Sequence, residues 1–186
     1  MFSDVDESQW YGYDQQKVIA NAYEYGLMQG SGGGFNPTGD MTIAEAITVA
    51  ARVHRIYSTG ADDLVQSGDP WYTVYVDYAL ANGIISAGTF TNYGDKATRA
   101  EMAYIFARSL PEPEFTTQNT VNALPDVTSV TPHYSSILLL YRAGVVQGGG
   151  DTGIFYPANN ISRAEAAAII SRVILPSTRA SGKTYG

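Results

Sequence analysis

Apolar positions along this chain fall into two helical stripes that recur three times. Ahead of Gly26, Gly83 and Gly144, apolar residues stand seven, four and three positions upstream: Ile19, Ala22 and Tyr23; Val76, Ala79 and Leu80; Ile137, Leu140 and Tyr141. That spacing marks one face of a helix with 3.6 residues per turn. Each glycine then fits the left-handed position that closes a helix, where a side chain would clash. A second stripe follows Thr42, Thr98 and Ser162. It comprises Ile47, Val49 and Ala50; Ala103, Ile105 and Phe106; Ala167, Ile169 and Ile170.

The two stripes belong to a repeat. Thr42-Ile43-Ala44-Glu45, Thr98-Arg99-Ala100-Glu101 and Ser162-Arg163-Ala164-Glu165 align, and an arginine stands ten residues beyond each cap: Arg52, Arg108 and Arg172. From position 42 to 98 to 162 the steps are 56 and 64 residues, and the extra length falls in the Pro/Thr/Asn-rich loop 111–122. The units are residues 1–60, 61–122 and 123–178 of one structural domain, with 179–186 as a tail. Two helices of about twelve residues cannot bury their stripes alone, so the units must pack on one another. The expected fold is all-α: three helix–loop–helix units closing into a pseudo-threefold helical bundle, with an open solenoid as the alternative.

Composition narrows the function. Apolar residues make up 45% and charged residues 16%, which suits a folded domain. A net charge of −7 argues against nucleic acid or an anionic membrane as partner. The apolar run 137–141 is far too short to span a bilayer. The absence of cysteine leaves the redox compartment open. Met1-Phe2-Ser3-Asp4 has no signal-peptide pattern, so an exported protein would here be a mature fragment with an added start codon. Tyrosine is abundant, 14 copies against 6 Phe, and suits either half-buried helix surfaces or sugar-facing grooves.

Units one and three carry further blocks in one order. Unit one reads Phe2-Ser3-Asp4-Val5, Trp10, Gly26-Leu27-Met28-Gln29-Gly30 and Phe35-Asn36-Pro37; unit three reads Leu124-Pro125-Asp126-Val127, Tyr134, Gly144-Val145-Val146-Gln147-Gly148 and Phe155-Tyr156-Pro157. Together with the capping blocks, these are similar to the S-layer homology repeats of bacterial surface proteins over roughly residues 2–175. The resemblance implies non-covalent attachment to secondary cell-wall polysaccharide, often pyruvylated and hence acidic. It implies an extracellular location at the cell wall or S-layer, a three-pronged helical bundle with grooves between repeats, and ligand contact by the motif arginine. It implies neither an enzyme nor a cofactor.

Candidate ligand residues follow. Thr/Ser-x-x-Glu is a capping box and is explained by structure alone. Arg99 and Arg163 instead put a cation at a helix N-terminus, which is locally unfavourable. Beside free helix N–H groups, a guanidinium would clamp a carboxylate or phosphate. On this reading truncating either arginine weakens binding and barely changes stability. Ile43 replaces the arginine in unit one, so the expected order of sites is unit three, then unit two, with unit one weakest. The assignment by unit stays open, because grooves between repeats can give an arginine to a neighbour's pocket. Trp10, Trp71 and Tyr134, just before each first helix, stack on a sugar face or cover the bundle end. Gly30 and Gly148 bring backbone close to a ligand or form tight loops. Asp4, Asp69 and Asp126 recur at each opening as candidate ligand residues, though they read better as turn or cap residues. Residues 148–153, Gly-Gly-Gly-Asp-Thr-Gly, invite a calcium or phosphate reading but lack the partners of either motif, so no metal is expected. There is no cysteine nucleophile and no G-x-S-x-G elbow. A polysaccharide-binding anchor is the leading reading. A sugar-free assembly module of a surface layer is the alternative, and a glycan hydrolase is a distant third.

Overall fold

The computed structural model describes residues 2–13, 16–149 and 152–186. It is all-α, with six helices: α1 Val18–Glu24, α2 Ile43–Thr59, α3 Thr73–Ala81, α4 Arg99–Phe106, α5 Tyr134–Arg142 and α6 Arg163–Ile174. Two short strands, β1 Thr120–Val121 and β2 Thr184–Tyr185, pair in parallel. No helix among the described residues is long and apolar enough to cross a membrane.

The second helix of each unit starts at a complete capping box. The hydroxyls of Thr42, Thr98 and Ser162 accept from the N–H of Glu45, Glu101 and Glu165, and each glutamate accepts from the cap's own N–H. Two of the orphan donors at each helix start are thereby satisfied. Just before the caps, the three units meet in a closed circuit of backbone hydrogen bonds. Met41 N–H donates to Ile161 O at 2.9 Å, Ile161 N–H to Ala97 O at 3.1 Å, and Ala97 N–H to Met41 O at 2.8 Å. All three residues are buried, so water cannot replace these bonds.

From this ring the helices pack across units rather than within them. α3 lies on α2, α5 on α4, and α1 on α6, which joins the N-terminal helix to the last one; α4 also touches α2 and α6. All nine positions of the second-helix stripe are buried. Fully burying one isoleucine such as Ile47 or Ile170 contributes about 1.5–3 kcal/mol, so this face holds the units together. In the first helices Tyr23 and Leu80 stay partly exposed, whereas the equivalent Tyr141 is fully buried. The period-3.6 count placed all three inward. In unit three a further layer covers the position.

That layer is the C-terminal segment 179–186, which is not a loose tail. Tyr185 is buried with its ring 5.2 Å from that of Tyr141. Asn119, also buried, donates to Tyr141 O and Ala180 O and accepts from Lys183 N–H. The loop 111–122 correspondingly contains a 3-10 turn and β1.

Gly26, Gly83 and Gly144 all terminate a first helix with φ near +72°. A side chain at Gly26 or Gly83 would meet open space, whereas one at Gly144 would run into the Ala180 carbonyl of the C-terminal segment. Gly83→Ala should therefore cost only the left-handed strain of about 1–2 kcal/mol. Gly144→Ala should cost clearly more, because backbone has to move. Paired urea denaturation of the two variants measures this, and equal midpoint shifts would contradict the packing of residues 179–186 on α5.

Candidate functional site

The loop between the two helices of unit one is built on an aspartate. Asp4 accepts from Phe35 N–H and Asn36 N–H, both at 2.7 Å. The Phe35 bond is foremost in holding the Asp4 carboxyl below its ordinary range. It acts against desolvation, with Asn36 and the nearby Arg163 charge lowering it further. Asp126 does the same in unit three, accepting from Phe155 N–H at 2.9 Å and Tyr156 N–H at 2.6 Å. These two carboxylates shape the loops, and Phe35 and Phe155 are buried beneath them. Asp69 departs from the pattern. It precedes Pro70 in a cis peptide, is exposed, and holds no such loop among the described residues.

Each motif arginine crosses to another unit. Arg163, at the start of α6 in unit three, donates to Phe35 O, Glu45 and Gln29 O, all at 2.8 Å and all in unit one. Arg99, at the start of α4 in unit two, donates to Phe155 O and, at 2.7 Å, to Glu165 in unit three. The guanidinium carbons sit 5.0 Å from the Phe35 ring centroid and 5.1 Å from that of Phe155. Both side chains are close to nine-tenths covered, at 13% and 12% exposure. The helix N–H groups beside them are taken as well. Arg163 N–H goes to Gly39 O and Ala164 N–H to Pro37 O, while Arg99 N–H goes to Asn159 O and Ala100 N–H to Pro157 O.

Two expectations change accordingly. No free helix N–H awaits an anion at the first two positions of α4 or α6, so any anion contact there falls to side chains. The arginine in a unit's own sequence also does not serve that unit's loop. Ile43, on α2, abuts unit two, since its N–H donates to Asp95 O. The loop deprived of an arginine is therefore that of unit two, and unit one's loop has Arg163.

That loop opens onto a groove of about 540 Å³. Asp4, Gln29, Asn36, Asp40 and Glu45 come from unit one, Trp71 and Lys96 from unit two, and Arg163 from unit three. Trp71 presents part of its ring, at 40% exposure, and packs edge-on against Tyr72 and Tyr75. Lys96 is exposed and makes no ion pair among the described residues. Three of Arg163's five N–H groups are engaged in the bonds above, which leaves two for the groove. The arrangement offers two cations and an aromatic face side by side, with carboxylates and amides around them.

Among the sequence candidates, Asp4, Trp71 and Arg163 thus come together, and Arg99 and Asp126 meet on Phe155. Trp10 lies elsewhere, edge-on to Tyr11. Tyr134 lines a different groove of about 800 Å³ with His54, Arg108 and Arg142. The close approach at Gly30 is made by the protein itself, because a side chain there would strike the Phe2 ring and Gly34 O. At Gly148 the space is filled by the Tyr141 hydroxyl and the backbone at Gly153 and Ile154. Gly150 and Asp151, which carried the calcium or phosphate reading, lie outside the described residues, and no metal-holding cluster occurs among those described.

Sequence reasoning missed Lys96. It stands two residues before a cap, as Asp40 and Asn160 do, and the backbone bridges set each of these opposite the cap of a neighbouring unit. Lys96 faces Thr42, Asn160 faces Thr98 and Asp40 faces Ser162. Loop one is therefore served by Arg163 and Lys96, loop three by Arg99, and loop two by Ile43 and Asn160, while Asp40, opposite the cap of unit three, also lines the loop-one groove. The signal was one alignment column, Asp/Lys/Asn.

Comparison with known proteins agrees with this geometry. The S-layer homology domain pattern matches residues 2–47 and 123–167, the stretches holding both Asp-anchored loops and two of the capping boxes. The chain is also 32% identical over 140 residues to the surface-layer 125 kDa protein of Lysinibacillus sphaericus. The aligned region is 69% of this chain and 11% of that protein, so the chain spans only a small part of its relative's length.

Proposed function

Because the chain belongs to the S-layer homology family, whose domains are cell-wall binding modules rather than enzymes, we propose that it anchors a bacterial surface protein non-covalently by binding secondary cell-wall polysaccharide. The polymer carries acidic units, such as pyruvylated sugars, and the principal site is the groove at loop one. The observation that carries this reading is the pairing of Arg163 and Lys96 beside the exposed Trp71 on a chain with a net charge of −7. Asp4 and Glu45 are already engaged by loop N–H groups, the cap and Arg163, so Lys96 and the two remaining Arg163 N–H groups are what an anionic group on the ligand would meet. The order of sites becomes loop one, which has two cations, then loop three, which has Arg99 alone, then loop two, which has neither.

Lys96 makes the cleanest test, since its side chain has no structural bond among the described residues to lose. In a pull-down on purified cell-wall sacculi, Lys96→Ala should bind about tenfold more weakly with an unchanged melting temperature. Loss of one charge-assisted contact is worth that much. Stripping the secondary polymers from the sacculi should abolish binding of the unaltered chain. Retention on stripped sacculi would overturn the reading and favour an assembly module that recognises protein or peptidoglycan.

A further inference from the structure

The arginines ten residues past each cap occupy equivalent places but not equivalent surroundings. Arg52 donates to Gly26 O, Leu27 O and the Tyr75 hydroxyl, and has Asp62 beside its Nε at 3.4 Å. Arg108 donates to Tyr104 O and Ser136 Oγ, with its guanidinium carbon 4.0 Å from the Tyr104 ring centroid. Among the described residues Arg172 has two hydrogen-bond contacts, to Val145 O and Gln16 Oε1, each at 3.4 Å. That is beyond the usual range for such bonds. No carboxylate pairs with it among the described residues. Burial nonetheless holds its guanidinium below the ordinary arginine range. A cation taken from water without a counter-charge is costly.

Arg172 borders a polar pocket of about 380 Å³ on the seam between α1 and α6, lined also by the amides of Gln16, Asn21 and Gln147 and by Thr178. It shares no lining residue with the loop-one groove. We propose that this pocket is a second binding site, for a small carboxylate that carries hydroxyl groups. The carboxylate pairs with Arg172, and the amides, which both donate and accept, meet the hydroxyls. The volume matches one monosaccharide-sized unit. The site stands independently of what the loop-one groove binds.

Glucuronate is the test compound, with its methyl glycoside as the mimic of a chain-linked unit, and glucose and acetate as matches lacking charge and hydroxyls respectively. In a titration followed by NMR of arginine side chains, glucuronate should move the Arg172 Nε–H signal saturably. Glucose and acetate should bind at least tenfold more weakly. Arg172→Gln should lose the response. Asn21→Leu, which obstructs the pocket while favouring its helix, should lose it about tenfold without touching Arg172. Arg163→Gln should leave it unchanged. The methyl glycoside binding as well as the free acid would place the ligand in a polymer; binding of the free acid alone would make it a free metabolite, and either result supports the site. Equal response to glucose, or an unaltered response in Asn21→Leu, would overturn it.

Discussion

Arg163→Ala should lower stability and wall binding together. Its guanidinium ties the start of α6 to the Phe35 and Gln29 carbonyls and to Glu45, so truncation strands three acceptors in unit one. Hydrogen bonds to charged groups contribute about 1.5–3 kcal/mol each, but Glu45 is 30% exposed and can rehydrate. A net loss of about 2–3 kcal/mol is expected, or roughly 5–10 °C in melting temperature. Binding should fall at least tenfold, because the groove loses one of two cations and the loop loses its tether. Two controls separate the effects. Glu45→Gln keeps the capping box while removing the ion-pair charge, so it should cost less stability and leave Lys96 and Arg163 available to ligand. Arg163→Lys keeps the charge but cannot reach three acceptors in different directions, so it should recover binding better than stability. An unchanged melting temperature in Arg163→Ala would restore the sequence-based expectation of an arginine free for ligand.

The contrast shows what the sequence could disclose. Caps, helix-ending glycines and the second-helix stripe are local rules: a hydroxyl, a glutamate three residues on, and a face spaced at 3.6. Their consequences were therefore readable at Thr42, Gly26 and Ile47 without knowing the fold. Arg163 is different. A cation at a helix start breaks a local rule, which singled it out, but the partner it meets lies 128 residues away at Phe35 O. Nothing in one unit's own sequence says that its arginine serves another unit's loop. The proposed ranking of sites differs from the sequence-based one for that reason, and Lys96 was overlooked because it matters only through the cap it faces. Trp71 was found as an aromatic at a repeated position. The position alone did not distinguish it from Trp10, which the chain carries away from the groove. The packing of segment 179–186 was not readable for a related reason, because it carries no repeat signature and the residues it covers, such as Tyr141, lie far back along the chain.

Removing that segment should have the largest effect of all on stability. Arg179 is buried and donates to Arg172 O at 2.9 Å, Val173 O at 3.0 Å and Glu114 O at 2.7 Å, so it closes the C-terminal end of α6 and ties it to the 3-10 turn after α4. Tyr185 fills the space over Tyr141, and its carbonyl accepts from Asn122 N–H at 2.9 Å. Truncating one buried aromatic costs about 3–5 kcal/mol. Tyr185→Ala alone should therefore consume a large share of the 5–15 kcal/mol that a domain of this size commands. A chain ended after Thr178 would lose Arg179 and β2 as well, and should be largely unfolded at 37 °C. The damage should begin locally. Tyr141 donates its hydroxyl to Gly153 O, and Gly153 would meet the Tyr185 ring if it bore a side chain. Loop three is thus the first element to lose support, whereas loop one rests on Phe2, Asp4 and Arg163. Hydrogen exchange on Tyr185→Ala should show protection falling first at Phe155 and Tyr156 N–H, with Phe35 and Asn36 N–H retained until global unfolding. Simultaneous loss at both loops would mean that the units unfold only as one, and that the C-terminal segment supports the ring of hydrogen bonds at Met41, Ala97 and Ile161 rather than unit three.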